Sequence, residues 1–157
     1  EEEAQITEEN LFTHWAQLYC YDTDMTTVIK DSFVTIDGNT YYFGSTGAAK
    51  KGVFEVDGKS YYAYSSGVLA KGIVSRWASK YYYDEDTCEM RTGFITISED
   101  GTDVLYHFNE TSGRASNLWF KVDGKSYFAI SGVVQRGTVS IWGFEFNFDE
   151  ETGEYLK

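Results

Sequence analysis

The chain has 157 residues, with 25 Asp and Glu against 13 Lys and Arg, for a formal net charge of −12. Nucleic-acid binding demands a basic footprint that this balance lacks; the charge also opposes anionic membrane surfaces and favours neutral or cationic partners. Aromatic residues make up 18%, proline is absent, and no apolar run nears the roughly 20 residues of a membrane span.

Residues 1–10 are charged and stand outside the pattern that follows. They are expected to be a linker or the end of an upstream segment. From Leu11 onward the chain repeats about every 20 residues, the signature of a repeat architecture. The first copy covers 11–22 and carries Trp15. The second runs from Val34 to Phe43 around Asp37-Gly38, and the third from Phe54 to Ala63 around Asp57-Gly58. The fourth covers 73–84 and carries Trp77. The fifth runs from Phe94 to Gly113, with a first turn that reads as longer, around Ser98 to Asp103. The sixth runs from Phe120 to Ala129 around Asp123-Gly124, and the seventh, 138–149, carries Trp142 and Phe144.

Each copy predicts a β-hairpin. Asp-Gly suits a two-residue type I′ turn, which needs positive φ at both positions. The flanking residues alternate, with Val34 and Ile36 set against Phe33 and Thr35, as in half-buried strands. A second turn follows, rich in Ser, Thr and Gly, as at Ser45 to Gly47 and Ser65 to Gly67. A lone hairpin cannot bury its apolar face, so the copies must stack. The chain is therefore predicted to be all-β, a solenoid of consecutive hairpins forming a single domain over 11–157.

A longer period sits on the first. Trp15, Trp77 and Trp142 occupy the place of the turn Asp, 62 and 65 residues apart, and an acidic turn follows each hairpin. A superhelix with about three hairpins per turn explains this, because every third hairpin then faces the same way. Duplication of a three-hairpin block leaves the same trace, and both accounts stay open.

Gly52, Gly58 and the pair Tyr61-Tyr62, followed by Ser65 to Gly67, resemble the cell-wall-binding repeat. That family includes choline-binding modules, glucan-binding repeats of glucosyltransferases and receptor-binding repeats of clostridial toxins. The resemblance covers 11–157. It implies a left-handed β-solenoid on a secreted or cell-surface protein of a Gram-positive bacterium. It also implies a test for choline. Choline-binding copies place one Trp after the opening Gly and another before the tyrosine pair, and with an aromatic of the next copy these cage a quaternary ammonium. Here the first place holds Phe33, Val53, Ile73, Phe94, Trp119 and Thr138. The second holds Thr40, Ser60, Lys80, Ser126 and Glu145. Trp119 alone is retained, so choline binding by that cage is not expected.

No catalytic constellation emerges. His14 and His107 stand apart from any nucleophile in sequence, and Gly58-Lys59-Ser60 lacks the upstream Gly of a phosphate loop. The chain is read as no enzyme, with no cofactor. Cys20 and Cys88 are too far apart in the repeat order for a bridge, and they do not make a zinc site. The acidic turns at Asp22 and Asp84 lack the spacing of a calcium loop and read as solvated charges.

The candidate ligand-binding residues are aromatic: Trp15, Trp77, Trp142, Phe144 and Trp119. Sugars stack on flat aromatic faces, and a row of tip aromatics suits a long polymer through avidity. The other outcome is that each Trp folds back onto neighbouring tyrosines. The function expected is a non-catalytic module anchoring a larger protein to cell-wall or extracellular polysaccharide. The alternative is a structural spacer or adhesin stalk that contacts host protein. Nucleic acid and membrane insertion are not expected.

Overall fold

The computed structural model describes residues 3–157. Its regular structure is all-β, in antiparallel hairpins, apart from one 3-10 turn among the described residues. The chain divides into two compact units, Glu1–Gly72 with Tyr83–Met90, and Ile73–Tyr82 with Arg91–Lys157.

The N-terminal unit opens with the 3-10 turn Glu8–Asn10. Thr7 caps it, accepting from the Glu9 N–H at 3.3 Å and donating its own N–H to Asn10 Oδ1 at 3.0 Å. The buried Asn10 amide donates to the carbonyls of Tyr21 and Asp22, both at 3.1 Å. That residue pins the entrance of the first hairpin, β1 (Leu11–His14) and β2 (Gln17–Cys20). The second hairpin is β3 (Ser32–Ile36) and β4 (Asn39–Phe43), and the third is β5 (Gly52–Val56) and β6 (Lys59–Ala63).

The turns are the type the sequence predicts. Ile36 faces Asn39 across Asp37 and Gly38, whose φ values are 50° and 81°. Two positive φ values in a two-residue loop define type I′, whose twist matches the strands. Val34 and Ile36 point inward and are buried, while Phe33 and Thr35 remain exposed. The core of this unit gathers Cys20, Val34, Ile36, Tyr41, Phe43 and Ala49, with a second cluster at Tyr61, Ala63, Leu69 and Cys88. A fully buried Phe such as Phe43 contributes about 2 kcal/mol. Both cysteines are free thiols and lie in these clusters as small apolar groups.

Successive hairpins join by one recurring bond. After its second turn the chain donates a backbone N–H to the outer strand of the preceding hairpin: Ala49 to Leu18 and Leu69 to Thr40, each at 2.8 Å. The turn glycines make this approach possible. Gly67 has φ 88°, and a Cβ there would stand 3.2 Å from the Ala49 Cβ.

The fourth to seventh hairpins supply the C-terminal unit, although Gly72, Tyr83 and Met90 fall in the N-terminal unit. The fourth is β7 (Gly72–Arg76) and β8 (Ser79–Tyr83), in a three-stranded sheet with β9 (Met90–Arg91). The fifth is β10 (Gly93–Glu99) and β11 (Thr102–Phe108). The sequence suggested a longer turn here, but the turn has the same two residues as the others. Glu99 faces Thr102 across Asp100 and Gly101, with φ 49° and 78°. The extra residues extend the ladder instead, because another Asp-Gly pair closes it at the tip. The sixth hairpin is β12 (Leu118–Val122) and β13 (Lys125–Ile130). The short β14 (Val133–Val134) sits between β11 and β13 and makes a five-stranded sheet. The seventh, β15 (Gly137–Ile141) and β16 (Phe144–Phe148), is extended by β17 (Tyr155–Leu156). Phe128, Ile141 and Phe148 are buried together in this unit. The joining bond recurs here, from Ala115 to Lys80 at 2.8 Å.

Candidate functional site

Three hairpins place tryptophan in the first left-handed position of the turn. Trp15 and Ala16 have φ 50° and 59°; Trp77 and Ala78 have 49° and 60°; Trp142 and Gly143 have 51° and 83°. A bulky side chain at positive φ is a steric outlier, costing about 1–2 kcal/mol per residue. At Ala16 and Ala78 the second position carries a Cβ as well, so these two turns are doubly strained.

Packing does not offset that strain. Trp15 is 85% exposed, Trp77 94% and Trp142 73%. Trp15 meets His14 edge-on at 5.7 Å, and Trp142 approaches Phe128 at 6.4 Å. The tip tryptophans therefore do not fold back onto the tyrosines. Phe144 follows Trp142 across the turn, facing Ile141 in the ladder, and is 70% exposed. The structure thus brings Trp142 and Phe144 to one tip and leaves Trp15 and Trp77 each at a tip of its own.

Trp119 is different in kind. It is 38% exposed and lies against Phe128 at 5.3 Å, Phe146 at 5.4 Å, Tyr155 at 5.5 Å and Phe148 at 5.7 Å. Four rings thus surround it, and it stays partly exposed.

Trp119 also belongs to a recurring pairing that the sequence reading did not resolve. The opening aromatic of one hairpin meets the tyrosine block of the next: Phe33 with Tyr61 at 5.1 Å, Phe94 with Tyr127 at 5.0 Å, Trp119 with Phe146 at 5.4 Å. The cross-strand neighbours Tyr42 and His107 close in at 4.7 and 4.6 Å. Three rings thus meet at each of the first two places, Phe33 with Tyr42 and Tyr61, and Phe94 with His107 and Tyr127. The place of the cage's second tryptophan is polar: Thr40 is buried and shares a hydrogen bond with Thr35 at 2.9 Å, and Ser126 holds the corresponding place in the sixth hairpin, opposite Lys121. The available signal was positional. The partner ring is the first of the tyrosine pair in the following copy, as Tyr61 is for Phe33.

The acidic turns spend their carboxylates on their own backbone. Asp24 accepts from the N–H groups of Thr26 and Thr27 at 2.8 and 2.7 Å and from the Thr27 hydroxyl. These bonds, the Thr27 hydroxyl first, hold its carboxyl down at about 2. Asp84 accepts from Asp86 and Thr87, and Asp149 from Glu151 and Thr152, at 2.7 to 2.9 Å. Among the described residues no group of three or more His, Cys, Asp or Glu is placed to hold a metal ion.

Residues 31–49 match the cell wall binding repeat, Choline_bind_1. No curated protein sequence matches the chain. Among solved structures, the chain is similar to choline binding protein F from Streptococcus pneumoniae. It is 26% identical to that protein, with a TM-score of 0.76 over 94% of this chain and 47% of the other. Against the same protein in the presence of a peptidoglycan analogue, a tetrasaccharide-pentapeptide, the identity is 27% and the TM-score 0.77, over 94% and 46%. CbpJ from Streptococcus pneumoniae TIGR4 shares the fold, with 19% identity and a TM-score of 0.80 over 94% and 52%. The chain spans about half the length of these structures. The sequence match at 31–49 and the fold shared with two choline-binding proteins place the resemblance of these hairpins with the cell-wall-binding repeat family.

Proposed function

We propose that this chain is a non-catalytic binding module that holds a larger secreted or surface protein of a Gram-positive bacterium on cell-wall or extracellular polysaccharide. One observation carries the reading. Trp15 and Trp77 stand almost fully exposed on strained turns, and strain without a packing return belongs at sites that act on a partner. Trp142 and Phe144 would extend the same surface, with the partly exposed Trp119 as a further contact. An exposed indole presents the flat apolar face on which a pyranose ring stacks.

The hairpins would stack as one solenoid over residues 11–157, about three to a turn. The recurring bonds Ala49 to Leu18, Leu69 to Thr40 and Ala115 to Lys80 support this, as does the spacing of the tryptophans. In that arrangement the tips would form a row, and several weak stacking contacts would add through avidity on a long polymer. The structure of choline binding protein F with a peptidoglycan analogue supports a wall glycan as the class of partner. Choline is a poorer candidate, since Thr40 and Ser126 stand where the second tryptophan of the cage would be.

The test compares a polymer with a short oligosaccharide. Purified chain, Trp15→Ala, Trp77→Ala and the double variant would be titrated with Gram-positive wall polysaccharide and dextran, with circular dichroism as the folding control. Loss of polymer binding by folded variants, with a smaller loss on the oligosaccharide, is the expected result. Folded variants that bind the polymer as tightly as the parent would overturn the reading. If the parent binds no polymer at all, the spacer or stalk reading takes its place.

A further inference from the structure

The bond that joins hairpins also makes a groove beside the turn. Where Ala49 docks on Leu18, a groove of about 300 Å³ opens between the first tip and the second hairpin's second turn. Gln17, Ser45, Thr46, Lys50 and Lys51 line it. Where Ala115 docks on Lys80, the equivalent groove of about 360 Å³ opens beside Ala78, lined by Ser75, Ser79, Lys80, Asn117 and Ser131. The fold makes this groove at two tryptophan tips, and the side chains differ. By the shared bond, Lys50 and Lys51 correspond to Ser116 and Asn117.

The two lysines are unusual in a chain of net charge −12. Both are exposed. Among the described residues, neither ammonium pairs with a carboxylate. Lys51 Nζ lies 3.5 Å from the carbonyl of Ala16, which ties it to the Trp15 turn. Lys50 lies across Gly44, where a Cβ would stand 2.8 Å from its Cε. The absence of a side chain at Gly44 thus gives Lys50 its course along the groove. Hydroxyls of Ser45 and Thr46 and the Gln17 amide complete a donor-rich floor next to an exposed indole.

Resting on the glycan reading, we propose that the groove beside Trp15 binds the anionic group of a sugar-containing or polyol polymer, a carboxylate or a phosphate, through Lys50 and Lys51. Trp15 stacks on the adjacent ring or chain. The overall negative charge does not prevent this, because charges are screened beyond about 8 Å at physiological salt. The local lysine pair governs contacts made inside the groove. The second groove has Asn117 in place of Lys51 and carries one lysine, Lys80, where the first carries two.

Three polymers separate the outcomes: polygalacturonate for carboxylate, poly(glycerol phosphate) for phosphate, and dextran as the neutral control. At about 50 mM salt the parent chain should bind an anionic polymer. Lys50→Gln with Lys51→Gln should weaken that binding at least about fivefold and leave dextran binding unchanged, and binding should fall steeply as salt rises through the range where such contacts are screened. Asn117→Lys should strengthen the anionic polymer. Binding to one anionic polymer and not the other identifies the group. Dextran binding without anionic binding overturns this inference and leaves the glycan reading standing. Anionic binding indifferent to the lysine pair also overturns it. Failure of all three polymers overturns both.

Discussion

His107 places Nδ1 2.6 Å from the Ser116 hydroxyl and buries Nε2 without a hydrogen-bond partner. The ring is 4% exposed and lies between Phe94, at 4.6 Å, and Phe120, at 4.5 Å. Burial pushes the imidazole below its usual value near 6.5, and the Glu110 carboxylate opposes the shift. A lowered folded-state pKa means that the folded chain favours neutral histidine. Its contribution is complete above pH 6.5 and is lost as pH falls through the folded value. The C-terminal unit should therefore lose thermal stability from about pH 6.5 downward. His107→Tyr, which supplies the residue found at the equivalent Tyr42, should flatten that part of the curve relative to the parent. Melting curves from pH 8 to pH 5 check it, and parallel curves for the two proteins would exclude His107 as the cause.

The glycines of the two turns within a hairpin repeat carry different loads. Gly58 has φ 76° and open space around its Cβ position, whereas Gly67 has φ 88° and would press a Cβ on Ala49 and Tyr41. Gly58→Ala meets only backbone strain, about 1 kcal/mol. Gly67→Ala adds crowding where one hairpin rests on the last, for a total of about 2–3 kcal/mol. Chemical denaturation of both variants gives the comparison. Equal losses would mean that the second turn does not bear on its neighbour.

Most of the fold was legible because it is written as local chemistry. Asp37-Gly38 dictates a type I′ turn, and Val34 and Ile36 dictate which face turns inward; both follow from residues next to each other. The fifth hairpin was misread for the same reason. Counting residues from Ser98 to Asp103 suggested a long loop, although Asp100-Gly101 carried the turn signal within it. The site was less legible. That Trp15, Trp77 and Trp142 sit at tips follows from alignment with the Asp-Gly pairs, but their exposure depends on what surrounds each tip in space. The pairing of Phe33 with Tyr61 is also a contact between copies, and so is the Lys50-Lys51 groove. No spacing within one copy encodes which face of the next copy comes to rest there.

Cys20 and Cys88 are both free and buried. Burial raises each thiol above its usual value, which lowers the thiolate fraction that reacts. A thiol reagent at pH 8 should label the native chain far more slowly than the unfolded chain. Rapid labelling of either cysteine in the native state would show that the turn holding it opens readily.

The strongest prediction joins stability to binding at a single turn. Trp77 and Ala78 hold φ 49° and 60°, values for which Asp-Gly or Asn-Gly is the favoured pair. Ala78→Gly removes the Cβ from a left-handed residue and should stabilise the chain by about 1 kcal/mol. Adding Trp77→Asp would restore the turn found at the second, third and sixth hairpins and should stabilise it further. Since Trp77 is 94% exposed, its removal deletes almost no packing. The double variant is thus expected to melt at a higher temperature than the parent while binding wall polysaccharide more weakly. Ala78→Gly alone should gain stability and keep its binding, because the indole remains. Thermal melts and polymer titrations on the three proteins decide the matter. If Trp77→Asp with Ala78→Gly is less stable than the parent, the indole holds the fold, and its place on a strained tip has a structural cause.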